Sequence, residues 1–239
     1  MISLGNIIRR NTTNSSCTDY FKGCAPIESR EKAVMEKLEI EVKFFLPPGH
    51  SMREDILDLG ARSRGRFFEK NIRFEDPNKT LKSKQCLLRL RHDHKTTLTF
   101  KLKPNADSQQ FKVLKEHEVE VSDFKTMKDM LELLGFHGEQ VYEKWRETLM
   151  LADTLFCLDT MPYGQFLEIE GSQQDIQLYA RRLGLHWDKR ILANYLEIFE
   201  IIKERMDLKF TDVTFDNFKN IAVQLQKYLP LLEAGDSKE

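Results

Sequence analysis

Apolar and polar residues alternate through much of residues 38–170. The stretch LEIEVKFFL, at 38–46, places apolar side chains on one parity, and two glutamates and a lysine on the other. A period of two predicts β-strand, and turn signals such as Pro47-Pro48-Gly49 separate several of these stretches. The predicted strands cover 38–46, 61–75, 86–92, 96–103, 112–122, 139–151, 153–160 and 165–170.

Helical periodicity interrupts the strands twice and then takes over. The patterns at 51–60 and 123–136 each contain a glycine close to the end, as helix C-caps often do. Beyond Gly171 the apolar residues follow the helical period. The predicted C-terminal helices cover 172–185, 189–206 and 214–232. Strands followed by helices indicate an α+β fold rather than a βαβ repeat.

The chain divides into three parts by composition. Residues 1–34 are rich in asparagine, threonine and serine, and they predict a flexible leader because they show no sustained periodicity. Met35 stands just before the first predicted strand and is a candidate start of the native protein. Residues 35–206 are predicted to form the main domain, and residues 207–239 a helical extension and tail.

The polar parity of seven predicted strands is charged rather than merely polar. Its basic members are Lys43, Arg89, Arg91, Lys101, Lys103, Lys144 and Arg146. Its acidic members are Glu39, Glu41, Glu118, Glu120, Asp159, Glu168 and Glu170. Glu143 and Glu147 break the pattern because they fall on the otherwise apolar parity of their strand.

Two explanations account for charged residues at alternate positions of the strands. The charged faces either meet water on one side of an open antiparallel sheet, or line the lumen of a closed barrel whose apolar faces lie under helices. We predict the barrel: an α+β protein with an eight-stranded antiparallel β-barrel, covered by helices, and a helical C-terminal segment. Buried charges need pairing or a ligand. Basic groups bind phosphate oxygens, and carboxylates bind Mg²⁺ or Mn²⁺, so the lumen suits a metal-bound polyphosphate.

The overall composition limits the classes of partner. Lysine and arginine number 37 and aspartate and glutamate 38, for a formal net charge of −1. This balance predicts neither nucleic-acid nor membrane-surface binding, and no apolar run reaches the roughly 18 residues that a membrane span needs. The four cysteines form no C-x-x-C pair. A reduced, cytoplasmic protein is the simplest expectation.

A series of short motifs resembles one known family. EIEVK, at 39–43, has the form E-x-E-x-K and resembles the N-terminal signature of the CYTH superfamily, the triphosphate tunnel metalloenzymes. The segment at 73–91, ending in LLRLR, is similar to a family segment that ends in LRIR. Further similar segments follow in the family's order: TFKLK, EHEVEV, KWRE, LDTMPYGQFLEIE and NYLEIF. The resemblance spans residues 38–200.

The resemblance implies an eight-stranded tunnel that binds a triphosphate and a divalent metal, Mg²⁺ or Mn²⁺. By position, the metal-side carboxylates are Glu39, Glu41, Asp159, Glu168 and Glu170. The phosphate-binding cations are Lys43, Arg89, Arg91, Lys101, Lys144 and Arg146, and the strand pattern adds Lys103. The supporting residues are Glu118 and Glu120, and the catalytic ones Glu41, Lys43 and Glu168, the last orienting the attacking water.

The sequence departs from the family pattern at two places. RFED, at 73–76, stands where the family has Tyr-Phe-Asp-Thr, so Glu75 is expected to replace a tunnel-lining aspartate. Asn194 stands where the family's final helix often carries a serine or a lysine that contacts phosphate. Lys189 and Arg190 are candidate substitutes for that contact.

Three functions stay open at this point. The first is metal-dependent hydrolysis of a triphosphate, either inorganic tripolyphosphate or a nucleoside triphosphate. The second is a CyaB-type cyclase that makes cyclic AMP and pyrophosphate from ATP, and the third is non-catalytic binding of polyphosphate. In each case the expected partner is a small-molecule phosphate compound, with no nucleic acid and no membrane, and the protein is expected to be a monomer or a homodimer.

Overall fold

The computed structural model describes residues 38–49, 51–104 and 110–235, in which eight strands close into an antiparallel barrel. Around the barrel the strands follow the order β1-β5-β4-β3-β2-β6-β7-β8. Their bounds are β1 Leu38–Leu46, β2 Arg62–Glu75, β3 Cys86–His92, β4 Thr96–Leu102, β5 Lys112–Val121, β6 His137–Leu151, β7 Thr154–Met161 and β8 Gly164–Glu170. The barrel and its eight strands are confirmed, each strand within two residues of its predicted bounds. The predicted leader, 1–34, and Met35 lie outside the described residues.

Within the described ranges, five α-helices accompany the strands. They are α1 Met52–Asp58, α2 Thr80–Ser83, α3 Phe124–Leu133, α4 Gln173–Arg182 and α5 Tyr195–Met206. α2 was not predicted from the sequence. α5 begins six residues later than its predicted start at 189, because Ile191 is extended and exchanges two backbone hydrogen bonds with Lys43 of β1. None of the helices in the described part of the chain is long and apolar enough to cross a bilayer.

The apolar faces of the strands point outward and lie under the helices. On one side, Phe44 and Phe156 pack with Ile56 of α1 and Ile176 of α4. On another, a cluster from α5 covers Phe166 of β8. This burial of apolar area stabilises the barrel and leaves its charged parity to face the lumen.

The two glutamates that break the parity pattern have partners outside the barrel. The Glu147 carboxylate accepts hydrogen bonds from Arg53 at 3.0 Å and from Ser63 at 2.7 Å. The Glu143 carboxylate accepts one from the backbone N–H of Phe215 at 3.1 Å. Both therefore bind neighbouring chain segments and leave the inward charged parity of β6 intact.

The predicted helix over 214–232 is wrong. Among described residues after 206, the helical turns are two short 3₁₀ helices, Leu225–Lys227 and Leu229–Leu231. The segment instead runs along β6, where Val213 bridges to Val141 and Glu143. Its apolar residues occur at irregular spacing, and most of them reach the α5 cluster through an irregular backbone. Pro230 also removes a backbone donor that a continuous helix would need.

Phe218 tests whether this C-terminal segment belongs to the barrel's core. It is 5% exposed and packs edge-on against Phe199 of α5 and Phe210. Phe218→Ala is expected to lower the free energy of unfolding by about 3–5 kcal/mol, because it removes a buried ring and leaves a cavity. Urea unfolding measures this, with Leu231→Ala, at an exposed residue of the same segment, as the control. A loss no larger than that of the control would show that the segment folds apart from the core.

Candidate active site

The barrel encloses a cavity of about 640 Å³, which is within the usual range for sites that bind small molecules. Eight of the candidate residues line it: Glu39, Glu41, Lys101, Lys103, Lys144, Arg146, Glu168 and Glu170. Residues at the start of α5, including Asn194 and Tyr195, close part of one end. These eight charged residues therefore meet around one cavity.

The pairing of β1 with β8 explains why acidic groups meet on one wall. Glu41 lies directly opposite Glu170, and Lys43 directly opposite Glu168. Residues opposite each other in an antiparallel pair share one face, with side chains close together. Two family-like motifs that are more than 120 residues apart in sequence thus become neighbours across one ladder.

Glu39, Glu41 and Glu170 form a compact acidic trio. One carboxylate oxygen from each lies within 4.8 Å of the other two. The Lys101 ammonium contacts Glu39, and the Lys112 ammonium lies 2.6 Å from Glu41. Three oxygen donors at this spacing match what hard divalent cations such as Mg²⁺ and Mn²⁺ take. The residues present therefore fit a divalent metal.

The pKa values within the trio reflect burial and mutual repulsion. Burial, with the charges of Glu41 and Glu39 nearby, raises the pKa of Glu170 to about 7 although Arg146 opposes the shift. Burial and the Glu41 charge also raise the pKa of Glu39. Burial opposes the ionisation of Glu41, but Lys112, Lys43 and Lys101 together lower its pKa. Three buried carboxylates at close range are costly without counter-charge, and a bound cation would supply it.

Asp159, which was predicted on the metal side, lies outside the trio. Its side chain is 0% exposed, and both of its oxygens are engaged. It accepts hydrogen bonds from Lys144 at 2.9 Å, from Arg146 at 2.7 Å and from the Tyr195 hydroxyl at 2.7 Å. In this arrangement both oxygens of Asp159 bind neighbouring side chains, and its predicted role as a metal ligand stays a prediction.

Glu168 also lies outside the trio, but it does line the cavity. Its carboxylate is 2.8 Å from the Lys43 ammonium and contacts Arg146. Burial opposes its ionisation, but Lys43 and Arg146 hold the pKa of Glu168 well below its usual range. Lys43 is itself 1% exposed, and its ammonium lies 4.4 Å from the centre of the Tyr195 ring. The Lys43 ammonium is thus buried and paired with Glu168. The predicted contact between Lys43 and phosphate stays a prediction.

Tyr195 joins α5 to this network, since its hydroxyl donates to Asp159 and its ring covers two ammonium groups, those of Lys43 and Lys144. Tyr195→Phe is expected to lower the free energy of unfolding by about 1–3 kcal/mol, because it removes a hydrogen bond to a buried charged group and keeps the ring. Denaturant unfolding measures the loss, with Tyr179→Phe on α4 as the control. An unchanged midpoint would contradict the contact.

The opposite wall carries Arg89 and Arg91 on β3. Arg89 donates to the Tyr142 hydroxyl at 3.4 Å and to Thr99 at 3.2 Å. Glu118 lies 3.8 Å from Arg89 and 3.4 Å from Arg91, which agrees with a supporting role. Glu120, by contrast, has a side chain that is 65% exposed and lies 3.4 Å from Lys95 at the rim of the barrel. These two supporting glutamates therefore occupy different environments.

Three charged residues of the lumen were missed from the sequence. Glu69 and Arg73 lie on β2, where charged residues occur on both parities and hide the inward one. The flanking Ile72 and Phe74, both buried in the outer core, were the signal that places Arg73 inward. Lys112 lies at the first position of β5, where parity was not read. Lys144 and Arg146 lower the pKa of Glu69 to about 2 against the effect of its burial.

The candidate substitutes for family residues lie away from the cavity lining. The Glu75 carboxylate accepts backbone hydrogen bonds from Leu81 and Lys82 at 2.9 Å and so holds α2. Arg190 donates to backbone carbonyl oxygens, including that of Trp187 at 2.9 Å, and Lys189 lies 2.8 Å from Glu233. None of these three side chains lines the cavity, because each is engaged in binding local structure.

Comparison with known proteins places this cavity in a family context. The family model described as CYTH domain matches residues 37–183, which is more than half of the chain. MJ0240 of Methanocaldococcus jannaschii, whose name offers adenylate cyclase as a candidate activity, is 28% identical over 173 residues. That match covers 67% of this chain and 98% of the relative.

Solved structures show the same fold. PH1012 of Pyrococcus horikoshii is 29% identical, with a TM-score of 0.57 over 66% of this chain and 96% of that one. A Vibrio parahaemolyticus protein, described as a candidate adenylate cyclase, has a TM-score of 0.59 over 69% of this chain and 98% of its own. At 18% identity, it supports the fold alone.

Proposed function

This chain belongs to the CYTH domain family, and from that premise we propose that it is an enzyme that hydrolyses a triphosphate with Mg²⁺ or Mn²⁺ inside its barrel. One observation carries the proposal: the acidic trio Glu39, Glu41 and Glu170 shares a single cavity with at least four cations. Neither set alone suits a polyphosphate. Together they provide oxygen ligands for a metal and donors for phosphate oxygens.

The chain's own residues have separate parts in this proposal. Lys101, Lys144 and Arg146 would hold the phosphate oxygens and stabilise the charge that spreads over the transferred phosphoryl group. Glu168 is ionised beside Arg146, so it can accept a hydrogen bond from a water and orient it toward phosphorus. The metal, held by the trio, would polarise the phosphate oxygens.

An adenylate cyclase is the second candidate, and two observations favour it. MJ0240 carries that activity in its name, and Leu87, Leu114 and Leu196 line the cavity, where a sugar and base would find apolar contact. The nucleophile would then be the 3′-hydroxyl of the substrate instead of water. Binding without turnover is the third candidate, but it gives no reason for the acidic trio, since cations alone bind phosphate.

A substrate panel separates these candidates. The purified chain is incubated with Mg²⁺ or Mn²⁺ and with tripolyphosphate, ATP or thiamine triphosphate. If the chain hydrolyses triphosphates, we expect it to release orthophosphate only when the metal is present. Cyclic AMP with pyrophosphate from ATP would establish the cyclase instead. Tight binding of every substrate without any product would establish the binder, and both of these results would overturn hydrolysis.

A further inference from the structure

Two arginines occupy paired positions on neighbouring strands of the barrel. Arg73 on β2 lies directly opposite Arg89 on β3, so their side chains share one face of the sheet, and Arg73 lines the cavity. Like charges at directly opposed positions are destabilising unless counter-charge lies between them. Arg73 has no counterpart among the phosphate-binding positions that the family resemblance identified, because its motif position is occupied by tyrosine there.

In the described part of the chain each guanidinium keeps one unpaired donor, although the terminal nitrogens of Arg89 also donate to Tyr142 and Thr99. The Nε atoms of Arg73 and Arg89 are buried, and neither has a hydrogen-bond partner there. The carboxylate closest to Arg73 is that of Glu139, at 4.0 Å, and Glu139 also binds Lys79 at 3.4 Å and His137 at 3.0 Å. A guanidinium presents five donors in a planar fork that matches phosphate oxygens, so these orphaned donors indicate an anion.

The position of Arg73 separates it from the acidic trio. Around the eight-stranded ring, β2 is four strands from β1, so Arg73 lies across the lumen from Glu39 and Glu41. Lys82, which follows β2 in α2, and Lys103, just after β4, line the same cavity. The cations of the lumen therefore continue beyond those that surround the trio.

We propose that Arg73 and Arg89, with Lys82 and Lys103, form an additional phosphate subsite, and that the preferred substrate is a linear inorganic polyphosphate of four or more phosphates. The inference rests on the proposed function, since the same cavity would hold the reacting phosphates. An uncharged sugar and base at this position would leave the buried Nε–H of Arg73 unpaired, which is costly. A further phosphate would pair with it.

Chain length is the variable that tests the subsite. Phosphate release is measured with tripolyphosphate, tetrapolyphosphate and ATP on the wild type, Arg73→Gln and Arg62→Gln. Arg62 lies on the same strand, is exposed, and provides the matched loss of one charge. The wild type and Arg62→Gln are expected to show kcat/KM about tenfold or more higher for tetrapolyphosphate than for tripolyphosphate, since one charge-assisted contact is gained. In Arg73→Gln this ratio is expected to fall to about one.

Three results would overturn the subsite: an equal kcat/KM for the two polyphosphates in the wild type, an equal loss for both in Arg73→Gln, or a preference for ATP. Arg73→Lys keeps the positive charge and loses the planar fork of donors. An intermediate ratio of kcat/KM for the two polyphosphates is expected for it, and this variant keeps the test valid if Arg73→Gln does not fold. Thermal stabilisation by each polyphosphate with Mn²⁺ separates the two proposals. A length-dependent stabilisation that Arg73→Gln loses would support the subsite even without turnover, and stabilisation independent of length would contradict it.

Discussion

Glu41→Gln is expected to reduce metal-dependent phosphate release by about 10²–10³-fold or more and to weaken Mn²⁺ binding at least about 100-fold. The substitution keeps the size of the side chain and replaces one carboxylate of the trio by a neutral amide, which is a poor ligand for a hard cation. It also removes the partner of Lys112, which lies 2.6 Å away. Isothermal titration with Mn²⁺ and phosphate release measure the two effects.

Glu147→Gln is the matched control for that substitution. Glu147 lies on a barrel strand but binds Arg53 and Ser63 outside the lumen. The substitution Glu147→Gln is expected to lower the free energy of unfolding by about 1 kcal/mol or less, because the partner Arg53 is well exposed. It is also expected to leave the Mn²⁺ affinity intact. Equal Mn²⁺ affinity in Glu41→Gln and Glu147→Gln would show that the trio does not hold the metal.

Asp159→Asn is expected to have a large effect on stability and a small one on the metal. The Asp159 carboxylate is buried with Lys144, Arg146 and the Tyr195 hydroxyl. Removing one member of a buried ionic network leaves uncompensated charge and costs about 3–5 kcal/mol. The trio is untouched, so Mn²⁺ is expected to bind with an affinity close to that of the wild type at a temperature where the variant is folded.

The family resemblance makes the opposite prediction for this residue, since it groups Asp159 with the metal-side carboxylates. Chemical denaturation gives the loss in free energy of unfolding, and Mn²⁺ titration of the folded variant gives the affinity. A stable Asp159→Asn protein that no longer binds Mn²⁺ would contradict the placement of Asp159 in a purely ionic network.

The barrel could be predicted from the sequence because the alternation of apolar and charged residues is a local signal. In β1 the alternation of apolar and charged residues fixes both the strand and the side that faces the lumen, as Glu39 and Glu41 show. Where both parities carry charge, as on β2, the local signal fails, and Glu69 and Arg73 were missed. Their orientation is set by burial of Ile72 and Phe74 against α3 and neighbouring strands.

The spacing of apolar and polar residues could not predict contacts between distant parts of the chain. The contact of Tyr195 with Asp159 joins α5 to β7, and nothing in the spacing of either residue indicates it. The same holds for the segment after α5, where bridging to β6 replaces helical hydrogen bonds. In both cases tertiary packing decides between local structures of similar propensity.

We expect metal and substrate to meet inside the barrel, between the acidic trio and the cations. A crystal structure of the chain with Mn²⁺ and a slowly hydrolysed imido analogue of tripolyphosphate tests it most directly. We expect an anomalous manganese peak bound by Glu39, Glu41 and Glu170, with phosphate oxygens on Lys101 and Arg146. Manganese and phosphate bound on the outer surface, with the lumen closed by its own ion pairs, would contradict binding of metal and substrate inside the barrel.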